Sequence, residues 1–232
     1  MLLNLLMQRQ IIVTADGSHT ISVPEMNVTY HSIHGAIQES RHVFINAGLL
    51  YVLKSLKPSY TIHILEIGLG TGLNALLSLI EAEDNQQQIC YTAVEPDPLL
   101  IEEVVELNYC NQLNRPDLQN IFNSLHSCEW EKEVSLTPSF TIRKTKQSLL
   151  HFTITETQHL VYFDAFAPMA QPELWTKEVF ENLYHLLSPN GVLVTYCSKG
   201  DVRRAMQSLK FSIEKLPGPP GKREMLRAKK MD

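Results

Sequence analysis

Residues 65–74 read LEIGLGTGLN: an apolar run that closes on glycine, two further glycines at alternate positions, then the start of a helical pattern. Glycine at 68, 70 and 72 lets the backbone turn sharply and approach a ligand without Cβ clashes. A strand that turns through such a loop into a helix can present the helix N-terminus to a bound group, as dinucleotide folds do. Working outward, residues 61–68 read as a buried strand, 72–83 as a helix and 89–95 as a second strand. Asp97 reads as the N-cap of a helix over 97–110, with an apolar stripe at Leu99, Leu100, Val104 and Leu107. Residues 160–166 read as a third strand, and 172–187 as a helix that the Asn190-Gly191 pair stops. A fourth strand over 191–197 and a helix over 200–209 follow. Strands alternating with helices predict an α/β fold with a doubly wound, largely parallel, Rossmann-like sheet. Two segments break the rhythm. Residues 11–60 read as a small β extension entering a helix near Glu39, and 211–230 as a terminal hairpin around a Pro/Gly loop. The boundary falls near residue 60, giving an N-terminal extension over 1–60 packed on a main domain over 61–232.

Composition narrows the class. A chain of 232 residues with 44% hydrophobic and 19% charged content can bury a proper core and fits a soluble fold. Cys90, Cys110, Cys128 and Cys197 form no CxxC pair, which argues against a zinc site or a disulfide framework and suits a reducing cytoplasm. His31, His34 and His42 lie close together but fit no common zinc spacing, so no metal is expected. No apolar run approaches membrane-spanning length, and the first ten residues lack the basic region of a secretory signal. Met1 and Met7 are both candidate starts. Net charge is −5, yet residues 199–232 carry +6 and the remainder −11. A basic tail can meet a phosphate backbone; a solvated helix face is the plainer reading of charge alone.

Three acids carry the chemistry. Glu66 lies in the approach to the glycine loop, where its charge would repel a pyrophosphate and suit the sulfonium and amino-acid end of S-adenosyl-L-methionine. Glu95 ends the next strand, placed to accept from both ribose hydroxyls. An acid there plays the same part in nicotinamide enzymes, so Glu66 is the residue that discriminates. Asp164 sits in VYFDAFAPMAQPELW, residues 161–175, at the end of an apolar strand, where burial is costly without a partner.

Three stretches in this order, EIGLGTGLN (66–74), VYFDAFAPMAQPELW (161–175) and LPGPPGKREML (216–226), resemble the methyltransferase domain of the MnmC type. Residues 14–44, TADGSHTISVPEMNVTYHSIHGAIQESRHVF, resemble that family's opening segment, so the likeness covers nearly the whole chain. It implies a class I S-adenosyl-L-methionine-dependent fold, a seven-stranded sheet with an antiparallel last hairpin. It also implies cytoplasmic N-methylation of the 5-aminomethyl group of (2-thio)uridine at tRNA wobble position 34. The anticodon stem-loop is the implied partner. With the chain ending at Asp232 there is no room for a fused oxidase, so the expectation is a protein that takes 5-aminomethyluridine in tRNA directly or depends on a separate FAD-dependent oxidase upstream.

The resemblance assigns cofactor contacts to Glu66, Gly68, Leu69, Gly70, Thr71, Gly72, Asn74 and Glu95. Gln147 and Ser148 stand where class I enzymes often place an acid near the adenine. Asp164 becomes the catalytic residue, holding the aminomethyl nitrogen and helping it shed a proton. Phe166 would pack on the uracil ring while Pro168 stiffens the loop. Arg203, Lys222 and Arg223 would contact phosphates, with Arg204 beside them. Other readings stay open: a methyl- or aminopropyl-transferase acting on a small amine, an RNA-binding module without activity, or a nicotinamide oxidoreductase.

Overall fold

The computed structural model describes residues 8–55 and 60–231; the two candidate start methionines and residues 56–59, beside the boundary drawn at 60, lie outside the described residues. Strands β1 (Gln10–Val13), β2 (His19–Val23) and β3 (Val28–Thr29) make a small antiparallel sheet of their own. A continuous helical stretch follows: α1 (Ala36–Ser40), a π-helical segment Arg41–Leu49, and α2 (Leu50–Leu53). Then β4 (Ile62–Ile67), α3 (Leu73–Asp84) and β5 (Ile89–Val94) form the first βαβ unit. Short helices α4 (Ile101–Val104) and α5 (Tyr109–Gln112) precede α6 (Gln119–Ser127). The hairpin β6 (Glu133–Thr137) and β7 (Phe140–Thr145) leads to β8 (Gln158–Phe163), α7 (Lys177–Leu186), β9 (Leu187–Thr195) and α8 (Gly200–Ser208). The chain closes on the hairpin β10 (Phe211–Pro217) and β11 (Glu224–Lys230).

The main sheet runs β10-β11-β9-β8-β4-β5-β7-β6, parallel from β9 through β7 and antiparallel at both ends. It has eight strands rather than seven. The extra edge strand is β6, whose turn at 138–139 folds it back on β7.

Side-chain alternation along the strands feeds two cores. Ile62 and Ile64 of β4, with Leu160 and Tyr162 of β8, face the core shared with the π-helical segment and α3. Leu65, Ile67, Val161 and Phe163 face the other core, packed against α7 and α8. The same alternation puts Glu66 and Asp164 on the α3 side. That placement decides what they touch.

Three helix boundaries depart from expectation. Asp97 does not cap a helix over 97–110; its carboxylate pairs with Arg9, and the first helical turn starts at Ile101 with Glu103 accepting from the Leu100 N–H at 2.7 Å. That helix ends at Val104 and the next begins at Tyr109; between them Asn108 accepts from the His19 N–H at 2.8 Å and donates to the Gly17 carbonyl at 2.9 Å. An asparagine occupied with docking a loop competes with helical propagation. The stretch 172–187 splits into a 3-10 turn (Pro172–Trp175) and α7, because Thr176 takes an extended conformation and caps the Val179 N–H. Asn190, at φ 63°, and Gly191 lie inside β9 rather than ahead of it, where the pairing register with β8 shifts.

Candidate active site

β4 lies between β5 and β8, so successive connections leave it in opposite directions and open a crevice at the carboxyl ends of these strands. A cavity of about 330 Å³ occupies that crevice, within the range usual for small-molecule sites. Gly68, Leu69, Gly70 and Thr71 form one wall, Glu95 and Asp97 the next, and Ser148 to Leu150 a third. Asp164 and Phe166 close the side toward β8, and Tyr30 and His31 come over from the N-terminal segment.

The glycine loop is built by contact as much as by conformation. Gly68 has φ 87°, and a Cβ there would lie 2.9 Å from the Asp164 carbonyl oxygen. Gly70 has φ 49°, and a Cβ would meet the Tyr30 ring at 2.8 Å. Glu95 ties the loop down: one carboxylate oxygen accepts from the Gly70 N–H and the other from the Asp97 N–H, each at 2.9 Å. Burial raises its pKa, and those two N–H donors oppose the shift. Thr71 is gripped from both sides. Its hydroxyl lies 2.7 Å from His31 Nε2, and its carbonyl accepts from His126 Nε2 at 3.1 Å. Burial lowers both imidazoles to about 4, so each is neutral at pH 7.

Asp164 has its partner in Asn74. The Asn74 amide donates to Asp164 Oδ2 at 2.8 Å and to Glu66 Oε1 at 2.9 Å, bridging two carboxyl groups on adjacent strands. Burial pushes Glu66 up to about 8, against the Asn74 bond. Asp164 is held well above the usual carboxylate range by burial, with the negative charges of Glu39 and Glu66 adding to the shift. The strand end beyond it is rigid: the Trp175 indole donates to the Phe166 carbonyl at 2.8 Å and the Phe166 N–H to Gln171 at 3.0 Å. Phe166 meets Tyr30 edge-on with ring centres 5.1 Å apart.

Of the residues expected to meet the cofactor, Gly68, Leu69, Gly70, Thr71 and Glu95 line the cavity. Glu66 does not. It is fully buried behind the loop, on the α3 face of β4, and its bond toward the cavity side goes to Asn74. Asn74 likewise sits behind the lining, and Gly72 backs onto His126. Of the two residues expected near the adenine, Ser148 lines the cavity beside Leu149 and Leu150, and Gln147 does not. Phe166 lines the cavity, whereas Pro168 lies outside the lining.

The expected phosphate-binding cluster is not assembled as such. Lys222 is paired with the buried Glu39, Arg204 with Asp201, and Arg203 is half-buried on α8, while Arg223 is exposed. Several other basic side chains of the tail are engaged within the fold. Arg227 pairs with Glu214 and lies over the Tyr51 ring, Lys215 pairs with Glu224 at 2.8 Å, and Lys230 donates to the carbonyls of Tyr184 and Leu187. Among the described residues no group of three or more His, Cys, Asp or Glu could hold a metal, and no helix is long and apolar enough to cross a membrane. Sequence reading gave Tyr30, His31 and Glu39 no part in the site, although their segment resembles the family's opening stretch. The polar residues packed into NVTYHSIHGAIQES were the available signal.

A family model described as S-adenosyl-L-methionine-dependent methyltransferase matches residues 116–231. The bifunctional tRNA 5-methylaminomethyl-2-thiouridine biosynthesis protein MnmC of Paraburkholderia xenovorans (strain LB400) is 26% identical over 212 residues, covering 85% of this chain and 31% of the relative. Its counterpart in Burkholderia multivorans (strain ATCC 17616 / 249) is 28% identical over 221 residues, covering 89% and 33%. The chain thus spans about a third of the length of these curated relatives. The crystal structure of MnmC2 from Aquifex aeolicus superposes with a TM-score of 0.78 at 22% identity, covering 97% of this chain and 71% of the other. That likeness extends to the whole described fold.

Proposed function

Because this chain belongs to the S-adenosyl-L-methionine-dependent methyltransferase family, we propose that it N-methylates the 5-aminomethyl group of (2-thio)uridine at the wobble position of tRNA. The names of its MnmC relatives support the choice of substrate. The cavity suits the donor on its own terms. It offers a wall of glycine-rich backbone and a carboxylate at the end of β5 for a ribose. When bound, S-adenosyl-L-methionine supplies a methyl group on a positively charged sulfur. Gly68 to Thr71 and Glu95 are the residues that would hold it.

The observation that carries the reading is Asp164, anchored by Asn74 at the cavity edge where β8 ends. The substrate amine is protonated at neutral pH and must lose a proton before its lone pair can attack. A carboxylate whose pKa is raised by burial is better matched to that proton than an exposed one. Asp164 also holds the nitrogen in place through a charge-assisted hydrogen bond, and positioning contributes much of the rate. Phe166 and Tyr30 give the uracil ring an aromatic wall. The substrate places the reaction in the cytoplasm, and a separate FAD-dependent oxidase would supply the aminomethyl group by removing a carboxymethyl substituent.

The test is incubation with methyl-labelled donor and tRNA whose wobble uridine carries the aminomethyl group, read by nucleoside mass spectrometry. One added methyl on that nucleoside is expected. Methylation of free aliphatic amines with tRNA left untouched would reject the reading. Asp164→Asn should lower turnover by about 10²-fold or more while calorimetry shows donor affinity nearly unchanged; full turnover in that variant removes the catalytic role.

A further inference from the structure

Lys222 was expected at an exposed hairpin tip, facing phosphates. The fold instead turns it inward. Its ammonium donates to Glu39 at 2.5 Å and lies 3.9 Å from the centre of the Tyr196 ring. Glu39 is only 5% exposed, and its second oxygen accepts from the Ser32 N–H at 2.7 Å. The tip is seated closely against this segment: a Cβ on Gly221 would fall 2.1 Å from an imidazole carbon of His34. Tyr196 in turn donates its hydroxyl to the Ala165 carbonyl at 2.8 Å, one residue beyond Asp164. A buried carboxylate without a cation is strongly disfavoured, and a lysine that serves one is poorly available to a phosphate.

We propose that Glu39 and Lys222 are positioning residues of the methyl-transfer site. The pair clamps the hairpin tip to the N-terminal segment and, through Tyr196, fixes the strand end and the charge against which Asp164 holds the amine. This inference rests on the functional reading above. Asp164 is bonded to Asn74 from α3 and interacts electrostatically with Glu39 from α1, Glu66 from β4, Tyr91 from β5, Tyr196 after β9 and Lys222 from the hairpin loop. Among the described residues Lys222 is the cation of that set. Removing it leaves Glu39 uncompensated, which favours the protonated form of Asp164. Removing the Glu39 charge acts in the opposite direction.

The experiment compares wild type, Lys222→Met, Glu39→Gln and the double variant, measuring kcat and KM for tRNA across pH and salt. The acid limb of the kcat profile should move up by about half a pH unit or more in Lys222→Met, move down in Glu39→Gln, and return toward wild type in the double variant. If Lys222 contacted phosphate instead, its loss would raise KM for tRNA, flatten the salt dependence and leave the pH profile in place; that result overturns the proposal. A lowered melting temperature with an unmoved profile also overturns it. If wild type leaves tRNA unmodified, the functional reading fails by itself. Carboxyl NMR titration of Asp164 then tests the pair separately. An upward midpoint shift in Lys222→Met supports the coupling, and an unmoved midpoint ends it.

Discussion

Asn74 has two N–H bonds to give and gives one to each of two buried carboxyl groups. That arrangement makes Glu66 a reporter of the interior rather than a ligand. Its pKa stands at about 8, above the ordinary value of 4.5, so folding favours the protonated form. The sign follows directly. The contribution is complete below pH 4.5 and is lost as pH rises toward and through about 8. Glu66→Gln, which keeps an acceptor for Asn74 and cannot ionise, should therefore gain stability over wild type with rising pH, by about 1 kcal/mol or more at pH 8. Urea denaturation at pH 5 and pH 8 checks this; equal differences at both would refute it. The sequence disclosed that Glu66 sits at the end of an apolar strand beside the loop, and period-two alternation gave its face. What it could not disclose was that α3 roofs that face, because the covering helix depends on the handedness of the connection. Of Gln147 and Ser148 it is Ser148 that lines the cavity, and their loop has no regular period from which to choose between the two.

Elements were legible where a period is strict and lost where side chains compete with the backbone. β4, β5 and the terminal hairpin follow their patterns to within a residue or two. The stretch from Asp97 to Cys110 carries a helical stripe, yet it fragments because Asn108 serves the turn at Gly17 and His19. Nothing local to that stretch announces a partner some ninety residues away. The glycine loop is the reverse case, since its local sequence states its own conformation. Gly70→Ala should cost about 1–2 kcal/mol for the left-handed backbone alone, with further loss from displacing Tyr30. Because Gly70 also donates to Glu95, donor affinity should fall with stability. Chemical denaturation and calorimetry on the same variant test both, and an unchanged affinity would separate the loop from donor binding.

At the scale of the molecule, two buried imidazoles make the fold acid-sensitive. His31 and His126 are neutral at pH 7, with pKa values depressed from 6.5 to about 4, chiefly by burial. Their contribution is intact above pH 6.5 and is lost as pH falls through about 4, on the order of 2–3 kcal/mol each. His126→Gln should flatten part of the fall in melting temperature between pH 6.5 and 4, and a slope identical to wild type would discard this account. Charge read over a whole tail was a poor guide to partners for a similar reason. Lys222 is taken by Glu39 from outside the tail and Lys230 by two backbone carbonyls, which a sum over the tail does not register. The Glu39–Lys222 contact joins residues 183 positions apart. On the ribosome, the wall behind Asp164 stays open until the last hairpin emerges from the exit tunnel. Premature termination in that hairpin would then leave a nascent chain whose Glu39 has no lysine to meet.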